Sequence, residues 1–435
     1  MDNTAIQATI PGPVPVKVPL PAPRKQVPIW VQILTPIASL RITVVLFVLS
    51  FILVFIGTLA QVDAGIWTVV AKYFRSYFVW VPLQIFFPRD IEVAGGFPFP
   101  GGWLLGGLLL VNLLAAHAIR FKATWNRCGI LLLHAGIIVM MLSELITGLF
   151  AIESKMVIAN QETVGFIDHS REVELAIIDS SKPGTDDVVV VPQRILQKGG
   201  AIQNANLPFD LEVSDFVPNS ALVFVKDEQS NDPDVFICNY LNDFGTYCKI
   251  VPVAEGSGVD PNQREDAAAV RVSFKRKGTN QVLGSGLFSL WTYPNFTLRQ
   301  LRTPDHKIST DGKEYLVQLR FKRLYQPYSI HLIEFRHDRY IGTDTPKNYS
   351  SRIILSDPSE KVNREEMISM NAPLRYAGLT FYQSGFLPND KGTVLQVVRN
   401  PGWLLPYFSC AMVAIGMIIH FGLNLKNFLQ KRMAS

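Results

Sequence analysis

Apolar positions in this chain gather into four long blocks rather than spreading evenly. Leu40–Leu59, Gly129–Phe150 and Trp403–Leu423 each read as almost unbroken apolar runs, and Gly101–Ile119 is Gly-rich but carries no formal charge. The hydrocarbon core of a bilayer is about 30 Å thick and a helix rises about 1.5 Å per residue, so a run of about 20 apolar residues spans it. Backbone polar groups in lipid must be satisfied within the segment, so all four runs are expected as helices. Between the third and fourth runs the pattern changes to strict alternation. Val173, Leu175 and Ile177 are one set, Val270, Val272 and Phe274 another, and Tyr315, Val317, Leu319 and Phe321 a third. Turn-forming clusters such as Lys182-Pro183-Gly184 and Asp311-Gly312 punctuate these stretches. The pattern predicts a membrane protein with four transmembrane helices, three before and one after a large β-rich domain at 151–401. The remaining parts are a Pro-rich arm at 1–39, a fourth span at 402–424, and a basic tail at 425–435. The polar stretch Glu255–Asp266 reads as a loop.

The stretch 66–88 is apolar and aromatic, with Trp67, Tyr73, Phe74, Tyr77, Phe78 and Trp80, but it holds Lys72 and Arg75 in its first half. Two cations are costly inside a span, and Trp and Tyr favour the headgroup level. It is therefore expected as an interfacial helix within the 40–150 membrane module, not as a fifth span.

Composition adds weight to this reading. Of 435 residues 48% are hydrophobic and only 18% charged, with mean hydropathy +0.20. The net charge of +5 matters less than its placement. Arg24, Lys25 and Arg41 precede or open the first span. Arg120, Lys122 and Arg127 lie between the second and third, and Lys426, Lys431 and Arg432 follow the fourth. Four spans put all three groups on one side, which the positive-inside rule makes cytoplasmic. The β-rich domain is then extracytoplasmic, and a bacterial inner membrane is the expected location. No dense basic face with interleaved aromatics points to nucleic acid. No nucleotide, hydrolase or zinc-protease motif occurs in proper context, and no cleavable signal is evident. The cysteines form neither CxxC nor CxxCH. Cys128 and Cys410 sit at or in spans. Cys238 and Cys248 sit in the outer domain, where a structural disulfide is expected over a redox pair.

Ionisable groups inside a bilayer are expensive and point to function. His117 lies near the inner end of the second span, and His420 near the inner end of the fourth. His134 lies five residues into the third, about 8 Å from its inner end at about 1.5 Å per residue. Three histidines on three helices thus share the inner third of the bilayer. Neutral imidazole is a common axial ligand of haem iron, and ligands on separate helices can grip a cofactor between them. His134, flanked by apolar residues, leads as a haem-ligand candidate, followed by His117 and His420. For His117 and His420 an interfacial histidine with no such role is the competing reading. Glu144, ten residues after His134, either serves a cavity or pairs near the outer interface. Among the outer histidines, His169, His306, His331 and His337, packing or surface roles are expected.

Local sequence carries a resemblance. Ile56-Gly57-Thr58-Leu59-Ala60-Gln61, Asn112-Leu113-Leu114-Ala115-Ala116-His117, Gly129-Ile130-Leu131-Leu132-Leu133-His134-Ala135-Gly136, and Asn371-Ala372-Pro373-Leu374-Arg375-Tyr376-Ala377-Gly378 followed by Phe381-Tyr382-Gln383-Ser384 occur in that order. In this arrangement they resemble the ResB (CcsB) family of cytochrome c biogenesis proteins. The resemblance is weakest from about 195 to 310. It implies a role in the System II pathway, in which a ResC (CcsA)-type membrane partner and a ResB-type protein together move haem b across the membrane, keep its iron reduced and attach it to apocytochrome c. It also implies His134 as the family's intramembrane haem-ligand histidine; His117 and His420 are added from depth alone. The partner's Trp-rich haem motif is absent here, so the chain looks like one non-catalytic part of a haem lyase complex. A rival reading, a membrane-anchored sensor or binding protein without haem chemistry, leaves the inner-leaflet histidines unexplained.

Overall fold

The computed structural model describes residues 28–62, 64–88, 90–120, 124–225, 235–240, 243–254, 266–279, 281–293, 301–302, 306–342 and 346–433, with the side chains of 236–240, 243–246, 301–302 and 346 left aside. Arg24, Lys25, Lys122 and the stretch 255–265 lie outside the described residues. Four helices are long and apolar enough to cross a membrane, and the β-rich domain lies between the third and the fourth. The chain is a multi-pass membrane protein of the expected three-plus-one plan.

The first membrane elements are α1 (Ile29–Ile37), α2 (Leu40–Ala60), α3 (Ile66–Val69), the strands β1 (Phe78–Pro82) and β2 (Gly96–Pro100), α4 (Gly102–Arg120) and α5 (Cys128–Phe150). The Pro-rich arm therefore ends in a helix. A break at Ser39, whose ψ of 129° is extended, separates α1 from α2. Carbonyls freed at such a break need partners where no water reaches. Asn112 on α4 supplies one: its Nδ2 donates to Ile37 O at 2.6 Å and Ser39 O at 3.3 Å, while Thr43 donates to its Oδ1 at 2.7 Å.

The stretch 66–88 is not a single helix. After α3 and a π-helical turn at Val70–Phe74, the chain enters the antiparallel β1–β2 hairpin. The physical reason is in the residues. Val79 and Val81 are buried while Phe78 and Trp80 are exposed, a period of two that only a strand can present. Pro98 and Pro100 are tolerated because a two-stranded ribbon is all edge. Val79, Val81, Phe97 and Phe99 pack with Leu53, Ile56 and Ala60 of α2, and Trp80 remains outward.

The β domain begins with β3 (Ile152–Ala159), β4 (Thr163–Lys182) and β5 (Thr185–Pro192), followed by a helical turn α6 (Gln193–Leu196). Then come β6 (Gly200–Ile202), β7 (Phe209–Val217), β8 (Ser220–Val225), β9 (Val235–Tyr240), β10 (Asp243–Pro252), β11 (Ala269–Arg276), β12 (Val282–Ser289), β13 (Leu301–Arg302) and β14 (His306–Thr310). The last block is β15 (Lys313–Arg339), β16 (Pro346–Asp357), β17 (Val362–Ser369), β18 (Leu374–Tyr376), β19 (Leu379–Phe386) and β20 (Gly392–Arg399), before the terminal helix α7 (Leu405–Met433). The main sheet runs β17-β16-β15-β4-β3-β20-β19-β18, with β14 on β15 and β5 on β4. Two four-stranded sheets, β12-β11-β7-β6 and β13-β9-β10-β8, complete the domain.

Two strands, β4 and β15, run through both cores. Their register sets Val173 against Phe321, Leu175 against Leu319 and Ile177 against Val317, in the core shared with Phe209, Leu211, Val270, Val272 and Phe274. Further along, Val164 opposes Ile330 in a second core with Met156, Ile158, Leu355, Phe381 and Leu395. The ladder slips between Phe321 and Arg323, where one core gives way to the other. At that joint the Tyr293 hydroxyl donates to Asp168 Oδ2 at 2.9 Å, and Arg323 lies 4.0 Å above the Phe166 ring. Burial, then the Asp168 charge, push the Tyr293 hydroxyl well above the usual phenol range.

Candidate functional site: an imidazole pair between membrane helices

α5 and α7 form a tightly packed antiparallel pair. A Cβ at Gly129 would stand 2.5 Å from His420 N, one at Gly136 would stand 3.0 Å from Ser409 O, and one at Gly416 would stand 2.7 Å from Leu133 N. Backbones this close require glycine, as at the small-residue interfaces of membrane helices. Ser409 Oγ donates to Gly136 O at 2.9 Å across the same seam. This packing fixes the rotation of α5, with Gly129, Gly136 and Ser143 turned inward. His134, two residues before Gly136, is therefore carried about 160° away from the α7 seam at 100° per residue.

There it meets His117 of α4. The ring centres are 5.0 Å apart and the planes stand at 85°, edge to face. Both side chains are half-buried. His117 Nδ1 lies 2.9 Å from Leu113 O one turn earlier. A carbonyl only accepts, so this bond places a proton on Nδ1 and leaves Nε2 as the nitrogen through which the ring would ligate a metal. Two imidazoles in an apolar setting are a donor set suited to haem iron. Rings in edge contact leave no room for a macrocycle between them. The observed geometry thus fits ligation by one histidine on one face of haem, and a two-histidine sandwich would require α4 and α5 to part.

His420 is placed differently. Its Nε2 lies 3.1 Å from Asn424 Nδ2 on the same helix, and its ring packs on Phe421. Glu144 is exposed on α5, in the half of the helix nearer the β domain. The structure thus brings His117 and His134 together and leaves His420 and Glu144 on other surfaces. Asn112 was not singled out from the sequence. A lone amide inside the otherwise apolar 101–119 run was the available signal.

In the β domain, His169 Nδ1 accepts from the amides of Arg171 at 3.2 Å and Glu172 at 3.0 Å. Burial holds its pKa below the ordinary value, against the pull of Glu172. His331 lies 2.9 Å from Thr163 Oγ1, and His306 packs on Phe288. His337 pairs with Asp390 at 3.1 Å between Tyr349 and Phe386. Among the described residues no group of three or more His, Cys, Asp or Glu side chains is placed to hold a metal ion. Cys128 and Cys410 are free, whereas Cys248 is disulfide-bonded. Cys238 lies on β9, which pairs with β10, and its side chain falls outside the described residues. Two guanidinium groups tie the domain to the membrane elements, Arg171 at 4.1 Å over Trp67 and Arg375 at 3.7 Å over Trp403.

Residues 305–394 match the model of the ResB-like family. Protein NrfI of Wolinella succinogenes is 38% identical over 92 residues, a stretch covering 21% of this chain and 10% of that protein. The family match runs from the start of β14 into β20, so it lies in the β domain, and the imidazole pair is outside it. The chain thus resembles the ResB-like family over this strand block and spans only about a tenth of the length of the relative it matches.

Proposed function

We propose that this chain acts in cytochrome c biogenesis as the haem-receiving part of a membrane complex. Haem is its cargo, taken from the cytoplasmic side and passed outward for covalent attachment to apocytochrome c. The observation that carries the haem reading is the meeting of His117 and His134, from two different spans, in edge-to-face contact. His134 is the proposed ligand, and His117 the second imidazole, engaged if α4 and α5 separate. The basic segments flanking the spans support an orientation with both ends of the chain cytoplasmic and the β domain outside, in a bacterial inner membrane. In this reading the chain is a scaffold beside a ResC (CcsA)-type partner that completes the attachment.

Complementation tests this reading. Cells lacking the chain are supplied with wild type, His134→Ala or Glu144→Gln, and covalent haem on c-type cytochromes is read by peroxidase staining of denaturing gels. The proposal expects restoration by wild type and Glu144→Gln, and at least a tenfold loss with His134→Ala at equal membrane abundance. Full restoration by His134→Ala would overturn it.

A further inference from the structure

β5 is the outermost strand on its side of the β4 half of the sheet. It pairs with β4 from Thr185 to Pro192, with Leu175 opposite Val191 and Ile177 opposite Val189, and no other described strand lies along its far side. In an antiparallel pair alternate residues direct N–H and C=O away from the partner. The outward groups of Asp187–Val191 are thus an open row of donors and acceptors. The side chains suit an added strand. Four consecutive valines, Val188–Val191, occupy the edge. Val191 is buried in the core below, whereas Val188 and Val190 are 36% and 41% exposed on the outer face. Ile195 of α6, also exposed, follows just beyond.

Edge strands are ordinarily blunted by lysine, inward charge, bulges or proline. Here such features stand only at the ends. Asp186 and Asp187 lie at the start, Asp187 held by Lys182, and Pro192 closes the strand. The bulge in the β4–β5 ladder falls between Asp179 and Lys182, outside the valine run. An apolar face alone would not specify its occupant. An unpaired edge narrows the choice, because among macromolecular partners an extended backbone matches its alternating donors and acceptors in register.

We infer that β5 is a docking edge for an extended segment of unfolded polypeptide, which adds to the sheet as a further strand. The Asp186–Asp187 end favours a segment with a basic residue at the matching end. That the segment belongs to apocytochrome c rests on the function proposed above; the existence of the edge does not.

The test uses the full chain in nanodiscs and two fluorescent probes, a reduced, haem-free c-type cytochrome polypeptide and an unfolded polypeptide of equal length without a CxxCH segment. Because N–H groups alternate, one of Val189→Pro and Val190→Pro removes a bond to β4 and the other removes only an outward donor. The variant that keeps wild-type thermal stability is expected to bind the cytochrome probe at least tenfold more weakly. Hydrogen exchange in wild type should show protection rising within 187–191 when probe is added. The double variant Val188→Lys, Val190→Lys gives a second reading should both prolines unfold the hairpin, and the same loss is expected. Unchanged binding in the stable variants, or protection confined to other strands, overturns the inference. A probe-free dimer that these variants dissolve would also overturn it, by assigning the edge to a second copy. Equal binding of both probes through β5 keeps the edge and removes the cytochrome client.

Discussion

Arg320 and Glu174 face each other across β15 and β4 with almost no exposure, joined by two contacts of 3.0 Å. Removing one partner of such a pair leaves a buried charge uncompensated, which costs about 3–5 kcal/mol. Glu174→Ala is therefore expected to lower the stability of the β domain by about that amount, read from guanidinium unfolding of the purified chain. Glu174→Leu with Arg320→Met is expected to recover most of it, because apolar residues of similar volume replace buried pairs at little cost. A loss below about 1 kcal/mol for the single variant would mean the pair is solvated. His169 makes a pH-dependent prediction at the same scale. Its acceptor nitrogen holds two amides at the β4 bend, so the folded state favours the neutral ring, and its folded pKa lies below the ordinary value of about 6.5. The stabilisation is present above pH of about 6.5 and is lost as pH falls through the lowered folded value. The protection of the Arg171 and Glu172 amides, corrected for the intrinsic exchange rate, should fall as pH is lowered from neutral through the depressed folded value, and His169→Asn should flatten that dependence. Neither feature was legible in the sequence. Arg320 lies between core residues Leu319 and Phe321 like any outward position, and only the register with Glu174 shows that it is paired.

Among elements, the spans were legible because an uninterrupted apolar run of about 20 residues has few alternative fates. The strand alternations at 173–177, 270–274 and 315–321 were legible for a similar reason, and all ten of those residues are buried. Misread was 66–88, where aromatic density suggested a helix. The alternation of Phe78, Val79, Trp80 and Val81, and the proline-containing partner Gly96–Pro100, show why a hairpin wins. The α5–α7 seam was also missed, although its small residues recur at sevens: Gly129, Gly136 and Ser143 on one helix, Ser409 and Gly416 on the other. That spacing sets the depth and facing of His134. Gly129→Val should push α5 from α7, since its Cβ would meet backbone at 2.5 Å. The expected outcome is a lower melting midpoint in detergent and loss of any haem bound through His134, whereas Gly106→Ala, with open space around it, should change neither. Equal behaviour of the two variants would show that the seam does not position the histidine.

For the molecule as a whole, the membrane part is two helix pairs more than a closed bundle. α2 and α4 share a core with the β1–β2 hairpin, α5 and α7 share the glycine seam, and the His117–His134 contact lies where the pairs meet. Such a junction can open without breaking either pair, which is what admitting a macrocycle between the rings would require. Above it, the Arg171–Trp67 contact joins the domain to the first pair and Arg375–Trp403 joins it to the second. The most direct measurement of the central claim is the absorption spectrum of the detergent-purified chain, alone and with the proposed membrane partner, for wild type, His117→Ala and His134→Ala. A Soret band with reduced α and β bands in wild type, abolished by His134→Ala and shifted by His117→Ala, is the predicted result. A haem-free wild type, even with a haem-bearing partner attached, would contradict ligation by this chain.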